Sequence, residues 1–416
     1  MMNSTNKPRV SGVGATLARL CVVLFAASMS SSLLGAGVVL TMWDNEREDI
    51  QKVLDDVLDR FEKENPGVKV KTSHYKTEDL RSQFQTAAMG GGGADIVLAP
   101  NDFGGPFSVM GIIQPVDTWA KMDRFAPTVV EAVSDSKNKS WGVPISRGNH
   151  LMLFINGSIV KKAPQTIEEL IATAKKHTDA KQNRYGFAYN LNEPFWFVAF
   201  LGAYGQRPLV ARAPQLGGDT MVQALELVKK LKFDDKVVPA DCDYACADTL
   251  FTEGKAAMII NGDWAVQQYR EKFKENLVIA PLPKLASTGK HMAPMISGKY
   301  LFFNKRVTGV KLEAAKKLTE YLVSKPIQEE LVRRTQRLPA IKELNNSPII
   351  AADPVLAATD KAMANGQPMP LDAEMRVVWD AIRPQLQNVM AGRAETKVAA
   401  ATMQKDAETK IKEMKQ

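Results

Sequence analysis

Between Val38 and Ala99 the hydrophobic pattern alternates between strand and helix, with a chain breaker after each helix. Val38–Trp43 (VVLTMW) is apolar and β-branched, the pattern of an opening strand. Ile50, Val53, Leu54, Val57, Leu58 and Phe61 then fall three and four apart, which lines one face of a helix. Asn65-Pro66-Gly67 stops that helix. Val68 and Val70 alternate with lysines, giving a strand with one buried face. A second helix runs through Leu80, Phe84 and Ala87 to the stop at Gly90–Gly93, and Asp95–Ala99 reads as a strand buried inside a parallel sheet. This order predicts an α/β fold.

The chain has 416 residues. One core seldom grows past roughly 250–300 residues, so two or more domains are expected. Trp141–Pro144 and His150–Ile155 read as extended, and Thr166-Ile-Glu-Glu169 as a capping box opening a helix. Helices follow near Phe195–Ala203 and Asp219–Leu231. Ala256–Ile260 is an apolar strand, and Asp263 is placed to cap a helix starting at Trp264. Beyond Lys299 the pattern is mostly helical, closing with Asp372–Ala391 and Glu395–Lys415. No repeat or low-complexity linker separates the halves, which predicts several short connections rather than one tether.

Residues 1–36 read as a signal peptide: Lys7 and Arg9 precede the short apolar run Leu20–Ala27, which is too short to span a bilayer. The protein is therefore expected to be exported, with the leader cleaved. Cys21 follows Arg19 and Leu20, where a lipid-attachment motif wants small residues. The remaining cysteines, Cys242 and Cys246, can form a disulfide if a turn interrupts the helix there, and Asp241 and Asp243 favour a turn. The 54 basic and 46 acidic residues are interleaved, which argues against nucleic acid as a partner.

No nucleophile elbow, phosphate-binding loop or zinc-protease helix occurs in the mature chain. His74, His150, His177 and His291 are scattered, so no metal or cofactor is expected. A carboxylate pair for glycoside hydrolysis meets only in three dimensions and is not legible here.

Three segments carry the strongest local patterns: Asn190–Trp196 (NLNEPFW), Phe251–Trp264 (FTEGKAAMIINGDW) and Met375–Arg383 (MRVVWDAIR). In these segments the chain resembles the periplasmic maltose/maltodextrin-binding proteins, substrate-binding components of ATP-driven sugar importers. The resemblance implies a type II periplasmic-binding-protein fold, with two α/β lobes joined by a multi-strand hinge and the ligand cleft between them. The lobes would be 37–148 plus 297–345 and 150–295 plus 350–416. It also implies a monomer that binds maltose, maltodextrin or another neutral oligosaccharide, delivers it to membrane permease subunits, and performs no catalysis.

Sugar chemistry suits the residues concerned. A pyranose has C–H faces that an aromatic ring covers, and edge hydroxyls that planar carboxylate, amide and guanidinium groups bond in pairs. By the resemblance, Phe195, Trp264 and Trp379 would stack on sugar rings while Glu193 and Arg383 bond hydroxyls. In the first lobe the family's aromatic and arginine are missing around Leu98-Ala-Pro-Asn101-Asp102-Phe103-Gly-Gly, and its acid past the hinge is replaced at Asn149. Asn45, Asn101, Asp102 and Asn149 remain the candidates there. Each position has a plainer role open to it: Phe195, Trp264 and Trp379 as core, Arg383 as a surface ion-pair partner, Glu193 as a helix-start carboxylate. The same cleft would also serve an exported carbohydrate-active enzyme or a sugar-sensing protein.

Overall fold

A computed structural model describes residues 37–414; the signal peptide read at 1–36, with Cys21, lies outside the described residues. Strands β1 (Val38–Asp44), β2 (Val68–His74) and β3 (Ile96–Pro100) pair in parallel around β1, with Val38 opposite Val68 and Met42 opposite Ile96. They are joined by helices α1 (Glu48–Glu64) and α2 (Thr77–Met89). All six residues of the first apolar stripe, from Ile50 to Phe61, are buried.

The sheet is completed by strands from far along the chain. β4 (Val143–Gly148), β9 (Met295–Asn304) and β10 (Leu338–Pro339) extend it in the order β10-β4-β9-β3-β1-β2. β9 runs antiparallel to β3 and β4. A second, four-stranded sheet has β5 (Leu151–Asn156), β6 (Tyr185–Ala188), β7 (Ala256–Gly262) and β8 (Leu277–Ala280) in the order β8-β5-β7-β6. Each sheet has its own core. Leu40, Phe61, Phe84, Phe107 and Phe302 belong to the first, and Phe154, Phe187, Phe200, Met258 and Val378 to the second.

The chain passes between the cores at few places. β4 and β5 are separated only by Asn149 and His150. Gly148 and Asn149 both have left-handed backbones, with φ of 117° and 44°. A Cβ on Gly148 would lie 2.2 Å from Asp263 Oδ2, so glycine is needed there for space as well as for φ. β9 itself spans both units: Met295 packs in the second core and Tyr300–Phe303 in the first.

A charged cluster is sealed at this crossing. Arg337 donates from Nη1 and Nη2 to Glu46 Oε1 and Oε2 at 2.8 and 2.5 Å, and Lys299 Nζ lies 3.5 Å from Glu46 Oε1. Burial alone would raise the Glu46 carboxyl, but Arg337 and Lys299 outweigh it and hold the pKa at about 2. Burial pushes the other way on Asp263, raising it to about 6 against the pull of Arg337, the Asn149 N–H and Lys299.

Two local expectations turn out differently or in finer detail. Asp263 does not cap the helix after it: the chain makes a 3-10 turn at Asp263–Ala265 before α5 (Val266–Phe273), and the carboxylate instead accepts the N–H of Asn149 at 2.9 Å. Cys242 and Cys246 are joined by a disulfide, with Cys242 just outside α4 (Tyr244–Thr252) and Asp243 capping it by accepting the Cys246 N–H. The turn that the bridge needs is therefore the helix start itself.

Arg337→Met leaves Glu46 buried beside a single remaining cation. It is expected to lower unfolding free energy by about 3–5 kcal/mol in urea titration. Because the folded pKa of Glu46 lies below its ordinary 4.5, its contribution is present above that value and fades as pH falls toward about 2. Glu46→Gln should accordingly flatten the stability-versus-pH slope in that window.

Candidate functional site

Three segments of the second lobe meet at one wall of the space between the lobes. The first is the start of α3 (Pro194–Ala203), where Glu193 is the N-cap residue and Pro194 opens the helix. That helix is apolar nearly all round and mostly buried, but Phe195 in its first turn is only partly covered. Trp196, next to it, is anchored by its indole N–H to the Ile260 carbonyl at 3.0 Å.

The second segment is the end of β7. Trp264 folds back over the backbone there, and a Cβ on Gly262 would lie 2.2 Å from its ring. The glycine of the G-x-W pattern is thus the space the indole needs. The third is α6 (Glu374–Met390), which carries Arg376, Trp379, Asp380 and Arg383 at helical spacing. Phe195 sits between the other rings, its centroid 6.1 Å from Trp264 and 6.4 Å from Trp379.

Polar groups frame these rings. Arg383 makes a two-pronged pair with Glu193, Nε to Oε1 and Nη2 to Oε2, both at 3.1 Å. From the first lobe, Asp102 at the end of β3 accepts the Trp379 indole N–H on Oδ2 at 3.2 Å. Glu78, on α2, reaches Arg376 and lies 3.5 Å from Arg383 Nη2. Burial would raise the Glu78 carboxyl, but Arg81, Arg376 and Arg383 together hold it below the usual range. On the other lip, Arg47 Nη1 donates to the Tyr244 hydroxyl at 2.5 Å and bonds Gln268. Both lips of the cleft are therefore bridged by side chains from opposite lobes.

Glu193, Phe195, Trp264, Trp379, Arg383 and Asp102 are thus brought together, and the other named residues are not part of this group. Asn45 bonds Thr77 and accepts from Lys299 at 2.6 Å, beside the buried cluster. Asn101 is fully buried and donates to the carbonyls of Ala132 and Met369, both at 2.8 Å. Asn149 gives its main-chain N–H to Asp263 at the crossing.

Residues that the sequence reading passed over fill the polar side instead. Arg81 bonds Asp102 at 2.9 Å, and Glu78 faces α6. The only sequence signal for either was the acidic and basic content of an otherwise ordinary helix.

Chemically, the wall offers aromatic faces with carboxylate and guanidinium forks along their edges. That suits a ligand with apolar faces and a hydroxylated rim. Among the described residues, no group of three or more His, Cys, Asp or Glu is set to hold a metal. No described helix is long and apolar enough to cross a membrane.

A family model described as bacterial extracellular solute-binding protein matches residues 56–358. The solved structure of the maltose/maltodextrin-binding domain MalE from Bdellovibrio bacteriovorus bound to maltotriose is similar, with TM-score 0.86 and 36% identity, covering 90% of this chain and 100% of that one. A maltooligosaccharide ABC transporter solute-binding lipoprotein of Streptococcus pneumoniae is 28% identical over 419 residues, 96% of this chain and 95% of the relative. A galactooligosaccharide-binding protein of Bacillus subtilis is 26% identical over 403 residues, 92% of each.

The Arg383–Glu193 pair keeps 22% and 35% of its side chains exposed, so it should matter little to folding. A double-mutant cycle with Arg383→Met and Glu193→Gln is expected to return a coupling of about 0.2–1 kcal/mol in unfolding free energy. A larger value would mark the pair as structural.

Proposed function

The chain belongs to the bacterial extracellular solute-binding protein family, and we propose that it is the exported binding component of an ABC carbohydrate importer that takes a maltooligosaccharide. The lobes are 37–148 plus 297–345 and 150–295 plus 350–416. The observation that carries this reading is the convergence of Phe195, Trp264 and Trp379 with the Glu193–Arg383 fork on one lobe, faced by Asp102 on the other. Sugar bridging both walls favours the closed arrangement, which the membrane permease subunits then engage. The signal peptide at 1–36 directs the protein to the periplasm, where it works as a monomer without a cofactor.

The protein binds without turnover. Glycoside hydrolysis needs one carboxyl held protonated, with a raised pKa. In this cleft Glu78, Asp102 and Glu193 are each paired with an arginine, and Glu78 is pushed down rather than up. A second ligand class has one specific support: the galactooligosaccharide-binding relative spans 92% of the chain, close to the 96% spanned by the maltooligosaccharide-binding lipoprotein. A receptor-coupled sensing role would use the same cleft.

Thermal-shift titration with maltose, maltotriose and galactooligosaccharides tests the reading. At 100-fold excess over the dissociation constant, the true ligand should add about 2.7 kcal/mol of stability. Chromatography of the incubated sugar should show it intact. No shift with any neutral oligosaccharide would overturn the proposal.

Trp264 is partly exposed, so Trp264→Ala should weaken sugar binding at least tenfold, about 1.4 kcal/mol, with little change in apo melting temperature. Trp379 is 5% exposed and packs in the second core, so Trp379→Ala should also cost about 3–5 kcal/mol of stability.

A further inference from the structure

Arg81 stands 21 positions before Asp102, on α2, yet its guanidinium is built around that residue. Nη2 donates to Asp102 Oδ2 at 2.9 Å and Nη1 to the Asp102 carbonyl at 3.2 Å. The guanidinium carbon lies 4.0 Å from the centroid of the Phe103 ring, over its face. Only 6% of the side chain is exposed. A planar fork held on two acceptors and a ring has one orientation, so it fixes the carboxylate it grips.

Asp102 does two things from that position. Its Oδ2 accepts both the Arg81 fork and, across the cleft, the Trp379 indole N–H. Its Oδ1 accepts no protein hydrogen bond among the described residues and is not sealed from solvent. One oxygen thus sets the angle of an indole on the opposite lobe, while the other is left for a ligand hydroxyl.

We propose that Arg81 is the positioning residue of the site: it aims Asp102 Oδ1 at a sugar hydroxyl and, through Oδ2, sets the Trp379 ring plane on which the sugar lies. This deepens the sugar-binding reading and rests on it. Arg81 itself touches no ligand. Its charge offsets that of Asp102, which is 7% exposed and is otherwise approached by a neutral indole. An unpaired carboxylate so placed would turn toward water and release Trp379.

Isothermal titration with maltotriose on the full mature chain tests this. Arg81→Met should weaken binding about tenfold or more, and Arg81→Lys, which can still donate to Oδ2, should recover most of that loss. Arg81→Met combined with Asp102→Asn should bind no more weakly than Asp102→Asn alone, since the two side chains act as one unit.

The double variant leaves no lone buried charge, so it carries the comparison even if Arg81→Met fails to fold. In ligand-free protein, the indole N–H resonance lost in Trp379→Phe should shift in Arg81→Met or in the double variant, whereas that of Trp264 should not. Wild-type binding followed by unchanged affinity in Arg81→Met, or losses that multiply in the double variant, would overturn the role of Arg81 and leave the sugar-binding reading standing. Failure of the wild type to bind any neutral oligosaccharide would instead overturn that reading, and the positioning role with it.

Discussion

The bidentate pair between Glu46 and Arg337 lies within the first lobe, at the crossing where the chain passes to the second. Neither large hydrophobic core extends across this point, and a small cluster of Val332, Leu338, Ile350 and Leu356 packs beside it. Glu46 follows β1, Lys299 lies on β9 and Arg337 precedes β10, so three separate segments are joined by one carboxylate. Such a cluster is expensive to bury, and apolar residues of the same volume would often be at least as stable. What charge adds is direction. A two-pronged pair has one geometry, and it fixes how the crossing strands sit. Asp263 extends the arrangement into the second lobe by accepting the N–H of Asn149, where the backbone is already left-handed.

The contacts across the mouth of the cleft are of a different kind. Glu78 is 42% exposed at its side chain, and its partners Arg376 and Arg383 are 29% and 22% exposed. Pairs that wet are worth little each, because water and salt compete for them. The charged cluster is thus fixed by two-pronged geometry within one lobe, whereas the lips between the lobes are weakly fastened. That contrast is what a protein that opens and closes on its ligand needs, since a ligand shifts the balance only by its differential affinity for the two arrangements.

What was legible in the sequence follows from the range of the interactions concerned. The apolar stripe of α1, the alternation in β2 and the capping box at Thr166 are local, and all are present; Thr166 accepts the Glu169 N–H at 3.1 Å. The three rings were named from the motifs that carry the family resemblance, and what places them is local too. Phe195 is placed by the helix start at Pro194, Trp264 by the bare Gly262, and Arg383 by helical spacing from Trp379. Of the polar groups, Glu193, Arg383 and Asp102 were named, but their long-range partners were not. Arg337 lies 291 positions from Glu46, and Arg376 lies 298 from Glu78, so neither pairing leaves a local pattern. Asp263 shows the limit most clearly: its residue type at a helix start suggests a cap, while the tertiary contact to Asn149 decides its use.

This division between local and distant residues is also a division of labour. All three rings, Phe195, Trp264 and Trp379, belong to the second core or pack against it, so one lobe carries them, and only the final angle of Trp379 is set from across by Asp102. Stacking depends on area and tolerates small displacements. The carboxylates from the first lobe, Asp102 and Glu78, are directional, and hydrogen bonds weaken steeply with misalignment. They face the ring wall from the opposite lobe. A flat, hydroxylated ligand would therefore be held first by its faces on one lobe, and its hydroxyl pattern would be read on closure by the other. On this proposal, selectivity among sugars of similar face area would rest on Asp102 and its neighbours rather than on the tryptophans.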